Sequence, residues 1–328
     1  MIRFLVRRLL WFALTLWVVA TVSFGLMHAV RGGPFDGERR FNPAIERNIE
    51  ARYHLDWPLW KQYAAYVGPF NLDEHGARFA GGDGSRPFGG VVCGDFGPSL
   101  KYRDFTVNDI LAQSLPISLE LGIIALSLAL ALGLAAGVAS AVWRGTKRDV
   151  ALRVAATAGI ALPNFVIATF LVIAFVFALP LFPVAGYGSW RHLVLPGFAL
   201  GAPFAAYVAR LTRTGMLEAL GQDHVRTARA KGLPEHLVIL RHAMPQALLP
   251  VISFLGPASA GILTGSLVIE RMFAIPGTGS HFVNSALNRD YTLAMGVTIL
   301  YTVLVCALNM LVDAAYTWID PRIRIEES

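Results

Sequence analysis

The sequence predicts an all-α integral membrane protein with six transmembrane helices, and two observations carry that prediction. The first is composition: of 328 residues, 55% are hydrophobic and only 15% are charged, whereas a soluble domain carries about 25% charged residues. Mean hydropathy is +0.53. The second is distribution, because the apolar residues gather into six runs, each long enough to cross a hydrocarbon layer about 30 Å thick. A net charge of +6 would suggest nucleic acid in a soluble chain. In a chain embedded in a lipid bilayer the basic residues set orientation, and no nucleic-acid partner is expected. The two cysteines, Cys93 and Cys306, make no disulfide framework, and neither has neighbours at zinc-ligand spacing.

The first element, residues 1–30, is a basic tip (Arg3, Arg7, Arg8) followed by the apolar run Leu9–Val30. That run exceeds the roughly 7 to 15 residues of a signal-peptide core, so a retained transmembrane helix is expected. Residues 31–113 form the one long polar segment, with ten basic and eleven acidic residues, and are expected outside the cytoplasm. Within it, Asn42-Pro43 opens a helix carrying Ile45, Ile49 and Tyr53. Asp56-Trp57-Pro58 opens another carrying Leu59, Trp60, Tyr63 and Val67. Eight glycines between Gly76 and Gly97 argue for an irregular loop.

The remaining spans lie in residues 114–319. Leu115–Trp143 is the second, opened by Pro116 and rich in Ala, Gly and Ser toward its end, where small residues let helices approach. Ala151–Leu179 is the third, kinked at Pro163-Asn164. Leu193–Leu211 is the fourth, interrupted by Pro196, Gly201 and Pro203. Leu248–Ile269 and Leu293–Trp318 are the fifth and sixth, and residues 320–328 form a tail with Arg322 and Arg324. Six spans put both termini on one side. Placing the termini, the Arg144–Arg153 turn and the 215–250 stretch inside leaves only Arg191, Arg271 and Arg289 in short outer loops. Both termini are therefore expected to be cytoplasmic.

Gly215–Pro250 is the longest polar, basic passage of the second half, and it stands between two apolar runs. Leu217–Lys231 reads as one helix and Glu235–His242 as a second. Gly232 suits the left-handed residue that ends a helix, and Pro234 suits the first turn of the next. On spacing alone this elbow is equally a solvated loop whose Arg226, Arg229, Lys231 and Arg241 set topology.

The order of residues in that elbow adds a resemblance. Arg226-Thr-Ala-Arg-Ala-Lys-Gly232, nine residues, then His242-Ala-Met-Pro245 resembles the coupling motif of bacterial ABC importer permeases, E-A-A-x3-G-x9-I-x-L-P. Arg226 stands where that motif has Glu, Thr227 where it has Ala, His242 where it has Ile and Met244 where it has Leu. This variant is similar to the R-T-A-R-A-K-G-L form of the oligopeptide and dipeptide permease branch. Tyr53-His-Leu-Asp-Trp-Pro58, Gly94-Asp-Phe-Gly-Pro-Ser99 and the SALNRDY ending at Tyr291 resemble further landmarks of that branch.

The resemblance implies a type I ABC importer permease fold with a long extracytoplasmic segment after helix 1, in the bacterial cytoplasmic (inner) membrane. It also implies the partners: a second homologous permease chain, two ATP-binding cassette ATPase subunits and an extracytoplasmic peptide-binding protein. Cargo would be oligopeptides or dipeptides, with nickel or another small solute as the alternative. The ATPase-coupling residues would be Leu217, Leu220, Val225, Arg226, Thr227, Ala228, Arg229, Lys231, Gly232, Met244 and Pro245, with Leu217, Leu220 and Val225 filling a groove on the ATPase and Gly232 as hinge. Pro276, Gly277 and Gly279 would form an outer gate or receptor-docking loop.

The residues themselves set limits on chemistry. No G-x4-G-K-[ST] sequence occurs, so no cofactor is expected on this chain and ATP would be hydrolysed by partner subunits. Pro276-Gly-Thr-Gly279 follows an apolar span and lacks the strand-helix setting of a dinucleotide loop. His224, His236 and His242 lack helical zinc spacing, and no G-x-S-x-G or H-E-x-x-H set points to an enzyme. Glu120, Glu270 and Asp313 fall inside or at the ends of spans, none at a clear midpoint, which counts against the rival reading of an ion-coupled secondary carrier.

Overall fold

The computed structural model describes residues 2–29, 55–68, 90–102, 105–263 and 266–319. The helix expected after Asn42-Pro43, the stretch 76–89 and the tail 320–328 lie outside the described residues. In chain order the helices are α1 (Ile2–Ala29), α2 (Leu59–Val67), α3 (Val107–Val142), α4 (Lys147–Ala161), α5 (Asn164–Val172) and α6 (Trp190–Leu220). There follow α7 (Asp223–Ala230), α8 (Glu235–Leu237), α9 (Met244–Ala247), α10 (Leu249–Leu263), α11 (Leu267–Met272), α12 (Thr278–Asn288) and α13 (Tyr291–Ile319). Wider π turns extend α5 over Ile173–Ala178 and join α8 to α9 over Val238–Ala243. Among the described residues five helices are long and apolar enough to cross a membrane, or up to six if the pair Lys147–Ala161 and Asn164–Ala178 is one span. The all-helical, multi-span expectation therefore stands.

Several boundaries differ from the sequence reading. Pro116 does not open the second span but sits inside α3, which starts at Val107 within the segment assigned outside the membrane. The start is set by a capping box: Thr106 Oγ1 accepts from the Asp109 N–H at 3.1 Å, while Asp109 Oδ2 accepts from the Thr106 N–H at 3.0 Å. The third span is more than kinked, because α4 and α5 meet at 112° across Leu162-Pro163. Pro163 cannot continue the ladder of α4, and it leaves Leu162 extended. The fourth span is not interrupted; α6 runs unbroken through Pro196 and Pro203 for 31 residues.

The chain divides into two compact units. The first comprises Met1–Ile117 and Gly277–Cys306. Its core packs Ala20 and Phe24 of α1 with Tyr66 of α2, Leu100, and Tyr291, Met295 and Ile299 of α13. The Tyr63 hydroxyl lies 2.6 Å from Thr21 Oγ1. Helix α2 thus uses Tyr63, Tyr66 and Val67 for packing and leaves Leu59 and Trp60 exposed. A second cluster sets Val107, Ile110 and Leu111 against Leu293 and Val297.

The second unit comprises Ser118–Pro276 and Ala307–Ser328. Its frame is the close crossing of α3 and α6. A Cβ on Gly201 would stand 2.5 Å from the Ala125 carbonyl oxygen, one on Gly133 2.7 Å from that of Ala205, and one on Gly137 2.6 Å from that of Ala209. The contacts advance in the same direction along both helices, so α3 and α6 run parallel. Glycine is required here by backbone approach, as in other small-residue membrane interfaces.

Replacing Gly201 with Leu should force these helices apart and cost about 1 to 3 kcal/mol or more. A lowered unfolding midpoint of the purified protein in detergent checks this, and an unchanged midpoint would contradict the crossing.

Candidate functional site

The elbow departs from one continuous helix over Leu217–Lys231. Helix α6 carries Leu217 and Leu220 to its last turn and ends at Gly221, and Gln222 turns extended to start α7. Gln222 accepts from the Val225 and Arg226 N–H groups at 3.2 and 3.1 Å. At the far end Gly232 adopts φ 75°. Its N–H donates to the Arg229 carbonyl at 2.9 Å, and the Leu233 N–H donates to that of Ala228 at 3.4 Å. This crossed pair is the Schellman ending that glycine permits. Pro234 follows extended and stands just before α8, one position ahead of the first-turn placement expected.

The elbow has its own core. Met216 and Ala219 of α6, Val225 and Ala228 of α7, and Val238, Ala243 and Ala247 beyond the turn are buried together, joined by Ala141. Val225 is 0% exposed, which places about 1.5 to 3 kcal/mol of burial inside this chain. Leu217, Leu220 and Met244 pack on the same cluster. The groove-filling role expected for Val225 is therefore corrected, because its side chain is sealed in; Leu217 and Leu220 are half-covered and keep part of their surface outward. The outward side chains are instead Arg226, Thr227, Arg229, Lys231, Leu233, Leu240 and Pro245, with the Gly232 backbone. Pro245 has no N–H for the Arg241 carbonyl, and its ring would crowd that oxygen; the wider π turn immediately precedes it.

Two contacts brace the bend. Arg229 donates Nη2 to Glu235 Oε1 at 2.7 Å and Nε to Oε2 at 3.2 Å, a fork across the Gly232 turn. The bond from Arg229 holds the Glu235 carboxyl below its ordinary value. His224 Nε2 donates to the His242 carbonyl at 3.1 Å. The sequence singled out Arg229 but not Glu235, because a separation of six residues pairs side chains only when the chain folds back on itself.

Behind the elbow lies a buried ion pair that the sequence did not reveal. Asp149, only 1% exposed, receives Arg213 Nε and Nη2, both at 3.1 Å, on separate oxygens. Ser140 Oγ at 2.6 Å and the Gly145 N–H at 3.0 Å also donate to it, and the half-exposed Arg153 brings Nε to 3.4 Å from Oδ1. The group joins the end of α3, the start of α4 and the α6 turn that leads into Met216.

In the first unit, two of the sequence landmarks meet. Ser99 Oγ and the Leu100 N–H donate to Asp290, whose Oδ1 also accepts from the Leu293 N–H and so caps α13. Gly94-Asp-Phe-Gly-Pro-Ser99 is thereby tied to the SALNRDY segment. In the loop expected as a gate, Gly277 and Gly279 are buried, Gly277 being the N-cap of α12, whereas Pro276 is exposed. The described residues contain no cluster of three or more His, Cys, Asp or Glu able to hold a metal ion.

The chain is similar in sequence to transport permeases. A family described as "Binding-protein-dependent transport system inner membrane component" matches residues 129–325. Over 326 residues the chain is 43% identical to the oligopeptide transport system permease protein OppB of Escherichia coli (strain K12), covering 99% of this chain and 100% of that one. It is 42% identical over 327 residues to the dipeptide transport system permease protein DppB of Bacillus subtilis (strain 168), covering 100% and 99%. A solved "amino acid ABC transporter with histidines" is similar in fold, with a TM-score of 0.50 at 16% identity, over 63% of this chain and 93% of its own. The chain belongs to the binding-protein-dependent transport system inner membrane component family, in its oligopeptide/dipeptide ABC permease branch.

Asp149→Asn would keep the shape of the buried pair and strand the Arg213 charge. It should lower the unfolding midpoint more than the double replacement Asp149→Asn with Arg213→Met, and equal midpoints would remove the pair from this role. For the exposed fork the sign is opposite in pH from that of a raised base. A lowered Glu235 pKa contributes stability above the ordinary glutamate range that is lost as pH falls through the folded value. With side chains 41% and 56% exposed, the contribution is at most about 1 kcal/mol. Gly232 and Leu233 should therefore be better protected from hydrogen exchange than in Glu235→Gln at neutral pH, and the difference should disappear at acid pH.

Proposed function

We propose that this chain is a permease subunit of an ATP-binding cassette importer that carries oligopeptides or dipeptides across the bacterial cytoplasmic membrane. The observation that carries the reading is full-length similarity to permeases named for those two cargoes, together with an elbow folded around the coupling motif. The same similarity favours peptide over nickel, and it favours an externally driven permease over an ion-coupled carrier. Both termini and the elbow face the cytoplasm in this reading. The chain pairs with a second homologous permease, two ATPase subunits bind and hydrolyse ATP, and an extracytoplasmic peptide-binding protein delivers cargo.

Coupling follows from the rigidity of the elbow. Most of its apolar side chains are committed to an internal core, so it moves as a body and hands its displacement to α6 through Met216 and Ala219. Arg226, Thr227, Arg229 and Lys231 present a polar and basic surface to the ATPase, and Leu233 and Leu240 supply apolar contact. Closure of the ATPase pair on ATP draws two such elbows together and turns the pathway outward. The Pro276–Gly279 loop serves the outer gate or the docked receptor.

Uptake of a labelled short peptide into vesicles should require ATP and every component: this chain, its sister permease, the ATPase subunits and the receptor. Uptake without the ATPase would instead indicate a secondary carrier. A Cβ at Gly232 would meet nothing within 4 Å, so Gly232→Val tests the left-handed backbone alone, at a cost of about 1 to 2 kcal/mol. The variant should reach the membrane and lose most peptide uptake while ATP hydrolysis persists. Full transport would remove the Gly232 turn from the coupling path.

A further inference from the structure

Helix α3 presents one side to its own unit and another to the surface. Leu121, Ala125 and Ala129 are buried, whereas Pro116, Glu120, Ile123, Ser127, Ala131 and Ala135 are exposed at a spacing of three or four. Glu120 thus stands on the outer stripe of an apolar helix. A carboxylate is disfavoured against hydrocarbon, so the position of Glu120 meets water or polar groups.

The immediate surroundings of Glu120 are organised. Tyr187, in the loop before α6, donates its hydroxyl to Glu120 Oε2 at 2.7 Å. That loop is pinned by the Gly186 N–H, which donates to the Phe273 carbonyl at 2.8 Å. Among the described residues no Lys, Arg or His pairs with Glu120, and its Oε1 has no hydrogen-bond partner. Among the described residues, therefore, one oxygen is fixed by Tyr187, the other is open, and no basic side chain stands as counterion.

We propose that Glu120 and Tyr187 form a subsite of the translocation pathway that receives the α-ammonium of the peptide cargo. The inference rests on the peptide-importer reading above. An ammonium supplies the missing positive charge and three donors, of which one suits the open Oε1. Every unblocked peptide carries this group whatever its side chains, so such a subsite engages cargo without selecting its sequence. A single carboxylate on an exposed face also binds weakly enough to let cargo leave, as conduction demands.

The test uses the complete importer in vesicles, with a labelled tripeptide as probe. The readouts are peptide moved per ATP hydrolysed and co-purification of the sister permease. Glu120→Gln should lower the ratio about tenfold, the scale of a lost charge-assisted bond, with the sister permease still bound. Glu120→Lys should lower it further, and Glu120→Asp should recover at least half. Tyr187→Phe should give a smaller loss, because the carboxylate remains. An unchanged ratio in Glu120→Gln, beside active wild-type uptake, would overturn the subsite and leave the peptide reading intact. Loss of the sister permease in Glu120→Gln or Glu120→Lys would overturn it too, by assigning the carboxylate to a contact between permease chains. Absence of ATP-dependent tripeptide uptake in the wild type would overturn the reading beneath the proposal and the proposal with it.

Discussion

The second unit depends on a charge that cannot be left alone. Asp149 is shut off from solvent in the first turn of α4, where an unpaired carboxylate is costly. It is retained because Arg213 meets both oxygens, Ser140 and the Gly145 N–H donate to it, and Arg153 adds a second positive charge nearby. The arrangement forces three elements into register: the end of α3, the α3–α4 turn and the stem of α6. Hydrophobic contact is tolerant of sliding, but a two-pronged ion pair with two further donors is not.

That register decides where the elbow stands. Arg213 lies one turn before Met216, and Met216 is the root of the elbow core. The close approach of Gly215 to Ala247, where a Cβ would come within 2.8 Å of the Ala247 carbonyl oxygen, fixes the returning chain against the same stem. The elbow is consequently a folded unit with a polar exterior, and force applied to it reaches α6 through packing. The same economy explains why the motif positions divide: Val225 and Ala228 serve the interior, and Arg226, Thr227, Arg229 and Lys231 face outward, as a helical period requires.

Much of this was legible in the chain. The spans announced themselves because twenty apolar residues have few other uses, and Gly232 was readable because few residues accept a left-handed backbone at a helix end. Other features were written locally and missed, such as Thr106-Val-Asn-Asp109, whose capping pattern marks the start of α3. A third group had no local signal at all. Asp149 and Arg213 are 64 positions apart, Ser99 and Asp290 are 191 apart, and Glu120 and Tyr187 are 67 apart.

The sequence by itself determined the class of protein, the existence of its spans, the Gly232 turn of the elbow and the branch of permeases it belongs to. These follow from hydropathy, backbone preference and motif order, which act over a few residues. The tertiary structure alone decided that Val225 is core and not contact, that Pro163 breaks a span while Pro196 and Pro203 do not, and which distant charges meet. Burial and pairing depend on what folds back against a residue, and a linear pattern does not contain that information.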